Sequence, residues 1–231
     1  MALPNAGRTK PKVMRWKKKP WPTMLADAPS REAGRAALLA LSAEMAAEGA
    51  MLIERVLPAE PSGFRQWDHY PNGDAIDPNS TARWFYHAHP PEQRGSNEHG
   101  HFHIFLPLSA LVGVEPLHRP EKDDAVEVVH VVGLNFDCDG LPTTWMAVNQ
   151  WVTDEYLMPA EAIIARLDRL VLDDAGIDKG IDKVGRWLTH ALRYSRPDIE
   201  AILRERDAKL ATIDPRDRAY EILSTRNFAL D

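Results

Sequence analysis

Apolar residues recur along this chain at two periods, and the change of period divides it. Leu38, Leu41, Met45, Gly49, Leu52 and Val56 advance by three and four residues, one stripe of a helix. Ser30 is a favoured N-cap, and Pro58 and Pro61 bar continuation, so the expected helix runs from after Ser30 to about Val56. Gly49 lies on the stripe and suggests close packing against a neighbour. From Arg83 the period falls to two, as expected of strands. In Arg83 to His89, Trp84, Tyr86 and Ala88 oppose Phe85, His87 and His89. In His99 to Leu106, Phe102, Ile104 and Leu106 make the apolar face. Ala125 to Phe136 places Val126, Val128, His130, Val132 and Leu134 together, and Thr143 to Val152 does the same for Trp145, Ala147, Asn149 and Trp151. Asp137-Cys138-Asp139-Gly140 supplies a hairpin turn between these last two.

Beyond Pro159 the helical period returns through Ile163, Ile164, Leu167, Leu170 and Val171, then through Val184, Trp187, Leu188, Ala191 and Leu192. Ser195 and Pro197 open a further helix, and Asp214-Pro215 a short last one. The stretch FRQWDHYPNGDAIDP, from Phe64 to Pro78, reads as loop. The expected fold is α+β: a small antiparallel sheet of about four strands, one long helix before it and three or four helices after. Residues 1–28 carry no apolar period and are expected to form a basic, disordered arm ahead of a single α+β domain at 29–231.

Composition sharpens this picture in three places. With 231 residues, 44% of them hydrophobic and 27% charged, the chain can bury a sizeable core. No apolar run approaches the roughly 18–20 residues that span a bilayer, and the opening residues lack a signal-peptide pattern. One cysteine, Cys138, excludes an intrachain disulfide framework, so a cytoplasmic setting is expected. The net charge of −6 is uneven, because Arg8, Lys10, Lys12, Arg15, Lys17, Lys18 and Lys19 precede any acid. Taking those seven from 28 basic residues leaves 21 against 34 acidic, so the remainder carries −13. Such a body makes general nucleic-acid binding a poor fit, whereas the arm suits docking on an acidic partner.

The chemistry concentrates in RWFYHAHPPEQRGSNEHGHFHIFL, Arg83 to Leu106. His87 and His89, then His99, His101 and His103, alternate at period two, so all five imidazoles would share a face on paired extended strands. The register can pair His89 with His101 and His87 with His103, or His89 with His99 and His87 with His101. Facing Cβ atoms lie about 4.5–5.5 Å apart, close enough for ring nitrogens to converge on one ion. Imidazoles without a thiolate suit a divalent transition metal, zinc or iron first, with copper, nickel or manganese also compatible. Glu92, Glu98, Asp68, Asp74 or Asp77 would complete the set or orient a histidine from behind. Glu98 as acid and Arg94 as clamp for an anion are the candidate catalytic groups. His130 reads as a buried, hydrogen-bonded residue that joins only if its strand lies beside the hairpin. Without a metal, the cluster would be a metal-free catalytic group or plain packing, and it would repel itself on protonation.

Two resemblances arise from these residues. His99-Gly100-His101-Phe102-His103-Ile104-Phe105 resembles the histidine-triad motif. That resemblance implies a nucleotide hydrolase or transferase in which His101 attacks phosphorus, supported by His99 and His103. It departs at Gly100, where that family carries an apolar residue, and over a hundred residues follow where the family normally ends. The blocks Phe85–Pro91, Glu98–His103 and Asn149–Thr153 together resemble an uncharacterised bacterial family, which implies one domain and no activity. The residues themselves point to a histidine-ligated metalloenzyme, hydrolytic with zinc or oxidative with non-haem iron, acting on a small anionic molecule. A metal-binding or interaction protein without turnover is the other class.

Overall fold

The computed structural model describes residues 30–122 and 125–230, so the basic arm lies outside the described residues. Six strands form one antiparallel sheet in sequence order: β1 (Tyr70–Ile76), β2 (Arg83–His87), β3 (Glu98–Pro107), β4 (Val128–Asp137), β5 (Pro142–Val148) and β6 (Ile222–Asn227). Helices α1 (Arg31–Ala47) and α2 (Leu52–Val56) precede the sheet. Between β5 and β6 come α3 (Gln150–Thr153), α4 (Ala160–Ile164), α5 (Lys179–Tyr194) and α6 (Arg196–Leu210). The α+β class holds; the strand count does not.

The two strands absent from the sequence reading are the sheet's two edges. β1 comes from the stretch read as loop, and its pairing with β2 is interrupted between Tyr70 and Ala75, where Asp74 takes a positive φ of 62°. An edge tolerates such a break because its outer side needs no partner. β6 comes from the stretch read as a last helix. Its sequence, ILSTRN, has one buried residue, Ser224, so no apolar alternation marks it. Pairing with β5, far away in sequence, makes it a strand.

The first helix also differs. Ser30 accepts a hydrogen bond from Ala33 N–H at 3.2 Å, as its cap role requires. The helix ends at Ala47 and resumes at Leu52, because Gly49 takes a φ of 74° and so stops it. A side chain at Gly49 would meet nothing within 4 Å, so its role is conformational and not close packing. The helix expected after Pro159 is likewise short, followed by a 3-10 turn at Leu167–Arg169.

Helices cover one face of the sheet. Trp84, Tyr86, Phe102, Ile104, Leu134 and Trp145 pack there with Leu38 and Met45 of α1, Val184 and Leu188 of α5, and Ile202 and Leu203 of α6. Each such large side chain contributes about 1.5–3 kcal/mol on burial. The opposite face carries a separate small apolar cluster, Phe85, Phe105 and Val128, beside the histidines. Among the described residues, no helix is long and apolar enough to cross a membrane.

Candidate metal centre

Two bulges decide which histidines meet. Between β3 and β4, Glu98 faces Asp137 and Gly100 faces Phe136, so His99 is the extra residue in β3. Further along, Ile104 faces Val132 and Phe105 faces His130, which makes Val131 the extra residue in β4. The second bulge breaks the expected alternation of His130 with Val132 and Leu134. Those two enter the core, while His130 turns toward the histidines of β2 and β3.

β2 and β3 pair His87 with His101 and Phe85 with His103, the second of the two registers. His87, His101 and His103 are all buried, His103 at 0% exposure, and a nitrogen from each lies within 4.8 Å of the others. Ring centroids are 4.6 Å apart for His87 and His101, 4.8 Å for His101 and His103, and 5.1 Å for His87 and His103. The Nε2 atoms of His87 and His101 approach to 2.7 Å. His103 Nδ1 is 2.9 Å from His130 Nε2, while His103 Nε2 is buried without a hydrogen-bond partner. An unpaired buried polar atom costs about 1–3 kcal/mol, so it calls for an explanation. His101 Nδ1 lies 3.2 Å from the Glu98 carboxylate, which accepts its N–H and leaves Nε2 as a lone pair.

Burial also fixes the charge state. It drives His87 down to about 2 and His130 to about 3, with neighbouring histidines adding to the effect at His87. His103 is pushed well below its ordinary value for the same first reason. These imidazoles are therefore neutral at physiological pH, the form that binds metal. The hydrogen bond to His101 lowers Glu98 and keeps it a carboxylate. A buried cluster of His87, His101, His103 and His130 can bind a metal ion.

The remaining expected residues fall in different places. His89 follows the end of β2, with its ring 5.0 Å from those of His87 and His101, and Trp67 stacks on it at 4.3 Å. His99 is separated from the cluster: its Nδ1 hydrogen-bonds the Tyr86 hydroxyl, and its ring lies beside Tyr86 and Phe64. The bulge turns it there. Gly100 permits the turn, because a Cβ at that position would collide with the His87 carbonyl and the Tyr86 hydroxyl. That collision also explains why the motif has glycine where the histidine-triad family has an apolar residue. His99, His101 and His103 do not form one row, so the triad arrangement is absent.

Arg94 donates to the His99 carbonyl and borders a cavity of about 460 Å³ that also contains Glu98, His89, His101 and His103. Asp77 is used in a turn, accepting from Asn79 and Ser80 N–H, and Asp74 pairs with His69 and Arg83. Asp68 and Glu92 are exposed. Sequence reasoning missed Arg83 and Glu155, which with His87 line a second cavity of about 350 Å³. Nothing local signals Glu155. It is 2% exposed, pushed up to about 8 by burial, and it accepts a hydrogen bond from Thr153.

Residues 31–229 match a domain of unknown function, DUF6969. The chain belongs to the DUF6969 family. The expected membership of an uncharacterised family holds to that extent, and the match to DUF6969 does not single out the histidines. No curated protein and no solved structure matches the chain.

Proposed function

We propose that this DUF6969 protein holds one divalent transition metal through His87, His101 and His103, with His89 in reach as a fourth ligand, and acts on a small anionic molecule. The observation that carries the reading is the buried, unpartnered Nε2 of His103 beside the converging Nε2 atoms of His87 and His101. Nitrogens on one tetrahedral ion at 2.0–2.1 Å lie about 3.3 Å apart, so the pair at 2.7 Å opens by about 0.6 Å and the widest separation, within 4.8 Å, closes by up to about 1.5 Å. Glu98 and His130 stand behind the ligands, each on the far nitrogen of one imidazole, where outer partners of metal-bound histidines belong.

Three imidazoles with a carboxylate held behind them favour zinc, with iron second and copper, nickel and manganese also compatible. A bound zinc would supply Lewis acidity and an activated water, and iron would supply redox chemistry. The chain's own contribution is to keep His87 and His103 neutral, exclude bulk water from His103 and present Glu98 and Arg94 at a cavity. The basic arm, with seven cations and no acid in its first 19 residues, is proposed to dock on an acidic partner.

Elemental analysis of protein purified without chelator tests the metal. About one equivalent per chain is expected, lost in His87→Ala, His101→Ala and His103→Ala. A chain that holds no metal and takes up none of zinc, iron, copper, nickel or manganese at neutral pH would end the reading. Turnover is tested separately, by chelator-sensitive hydrolysis across a panel of anionic esters and amides. A loaded chain inert to the whole panel would leave a metal-binding or interaction protein without hydrolytic turnover.

A further inference from the structure

The cavity beside His87 differs from the one beside Arg94. Arg83, Phe85 and His87 stand at alternate positions of β2, so all three side chains leave the same face of the strand. Arg83 is at one end of this row and a candidate metal ligand at the other. Phe85, Phe105 and Val128 provide an apolar wall in between, a cluster separate from the main core. Val126, also on the wall, is 55% exposed.

Arg83 is poorly satisfied. Its guanidinium is held by one long ion pair, 3.7 Å to Asp74, and its Nε is enclosed with no acceptor. A half-buried guanidinium with a single long ion pair is a site for a planar anion. Asp74 and Asp154 also line the cavity, facing Arg83 and Lys122 at 3.7 Å each, so its two cations are already balanced by two carboxylates and a single added negative charge fits better than a doubly charged phosphate. On the same wall Glu155 is held protonated at neutral pH by burial, which makes it a hydrogen-bond donor and not a third repelling charge.

We propose that this cavity binds a monocarboxylate with an apolar body, its carboxylate on Arg83, its body along Phe105 and Val128, and its far end toward His87. Arg83 and His87 are four residues apart on the strand, about 13 Å between Cα atoms at roughly 3.3 Å per residue. The long arginine arm reduces the span, leaving room for roughly one aromatic ring or a short aliphatic chain. A cavity of about 350 Å³ is at the small end of ligand pockets, in keeping with such a molecule. The proposal rests on the metal reading only for the end that faces His87.

Calorimetric titration of the zinc-loaded full chain with 3-phenylpropanoate and with its amide provides the test. The acid should bind one to one, with the uncharged amide at least about tenfold weaker. Arg83→Met should weaken the acid at least about tenfold, leave the amide unchanged and leave zinc content unchanged. Equal binding of acid and amide, or an Arg83→Met chain that binds the acid as tightly as the parent, overturns the proposal. A zinc-replete chain that binds neither probe at millimolar concentration also overturns it, and leaves the metal reading standing. Arg83-dependent binding by a chain that takes up no metal supports the cavity and overturns the metal reading instead.

Discussion

The two faces of one sheet have opposite construction. On the helix side, Phe102, Ile104, Leu106 and Leu134 are buried among apolar partners, and burial is itself the stabilising interaction. On the other side, β2, β3 and β4 bury polar groups, three imidazoles with a fourth behind them, and the segment after α3 adds the buried carboxyl of Glu155. Loops, strand ends and the short helix α3 line the two cavities on this side. Polar burial of this kind costs free energy unless each group is partnered, and His103 Nε2 is not. The lesson is that one face holds the fold together and the other is held by it.

The largest effect should come from exchanging the two. Phe102→Ala opens the helix-side core and should cost about 3–5 kcal/mol in chemical denaturation. His103→Leu, on the next residue but the opposite face, should leave metal-free stability unchanged or raised while metal content falls to background. Equal losses for both variants would erase the contrast between the faces.

The histidine face should also be the pH-sensitive one. His87, His103 and His130 have folded values below the ordinary imidazole value, so the unfolded chain binds more protons below about pH 6.5. Metal-free stability is therefore complete above about 6.5 and is lost as pH falls toward 2–3, by at most about 1.4 kcal/mol per pH unit for each histidine. Glu155 has the reverse sign, since its folded value is raised to about 8. Its contribution is complete below the unfolded value of 4.5, falls progressively above it, and is gone once pH has risen through about 8. Glu155→Gln should flatten the fall of a stability–pH curve between about pH 4.5 and 8 and leave the limb below 4.5 alone. An unchanged slope between about pH 4.5 and 8 would show that the carboxyl is not held protonated.

Gly100→Ala should cost about 1–3 kcal/mol and reduce metal retention, because the new methyl meets the His87 carbonyl at the bulge. A smaller effect is expected of Glu98→Gln, which keeps the shape beside His101 but loses the charge. Metal affinity should fall roughly 10- to 100-fold with little change in melting temperature. The smallest is expected from removing residues 1–20, which carry no apolar period. Melting should stay within a few degrees, and a large drop would place Trp16 in the core.

Much of this was legible locally. The even spacing of His87, His101 and His103 placed them on one face, and the apolar alternates Phe102, Ile104 and Leu106 lie in the core as that spacing requires. The Ser30 cap and the strands from Arg83 to Val148 were likewise open to reading, since side-chain period and capping chemistry are properties of short segments. His99 and His130 were harder. A bulge inserts one residue, and whether it forms depends on the partner strand, so His99 left the row and His130 joined it.

The amino-acid sequence by itself determined the α+β class, the chain segments that are strands or helices over most of the middle, and the concentration of imidazoles on one hairpin. These follow from periodicity and composition, which act over a few residues. Only the tertiary structure decided the two edge strands, the register that sets His87 against His101, and the placing of Glu155 and Arg83 around the same cavity. Each of those depends on groups distant in sequence meeting in space. Their free energy comes from pairing, burial and exclusion of water, which no short segment contains.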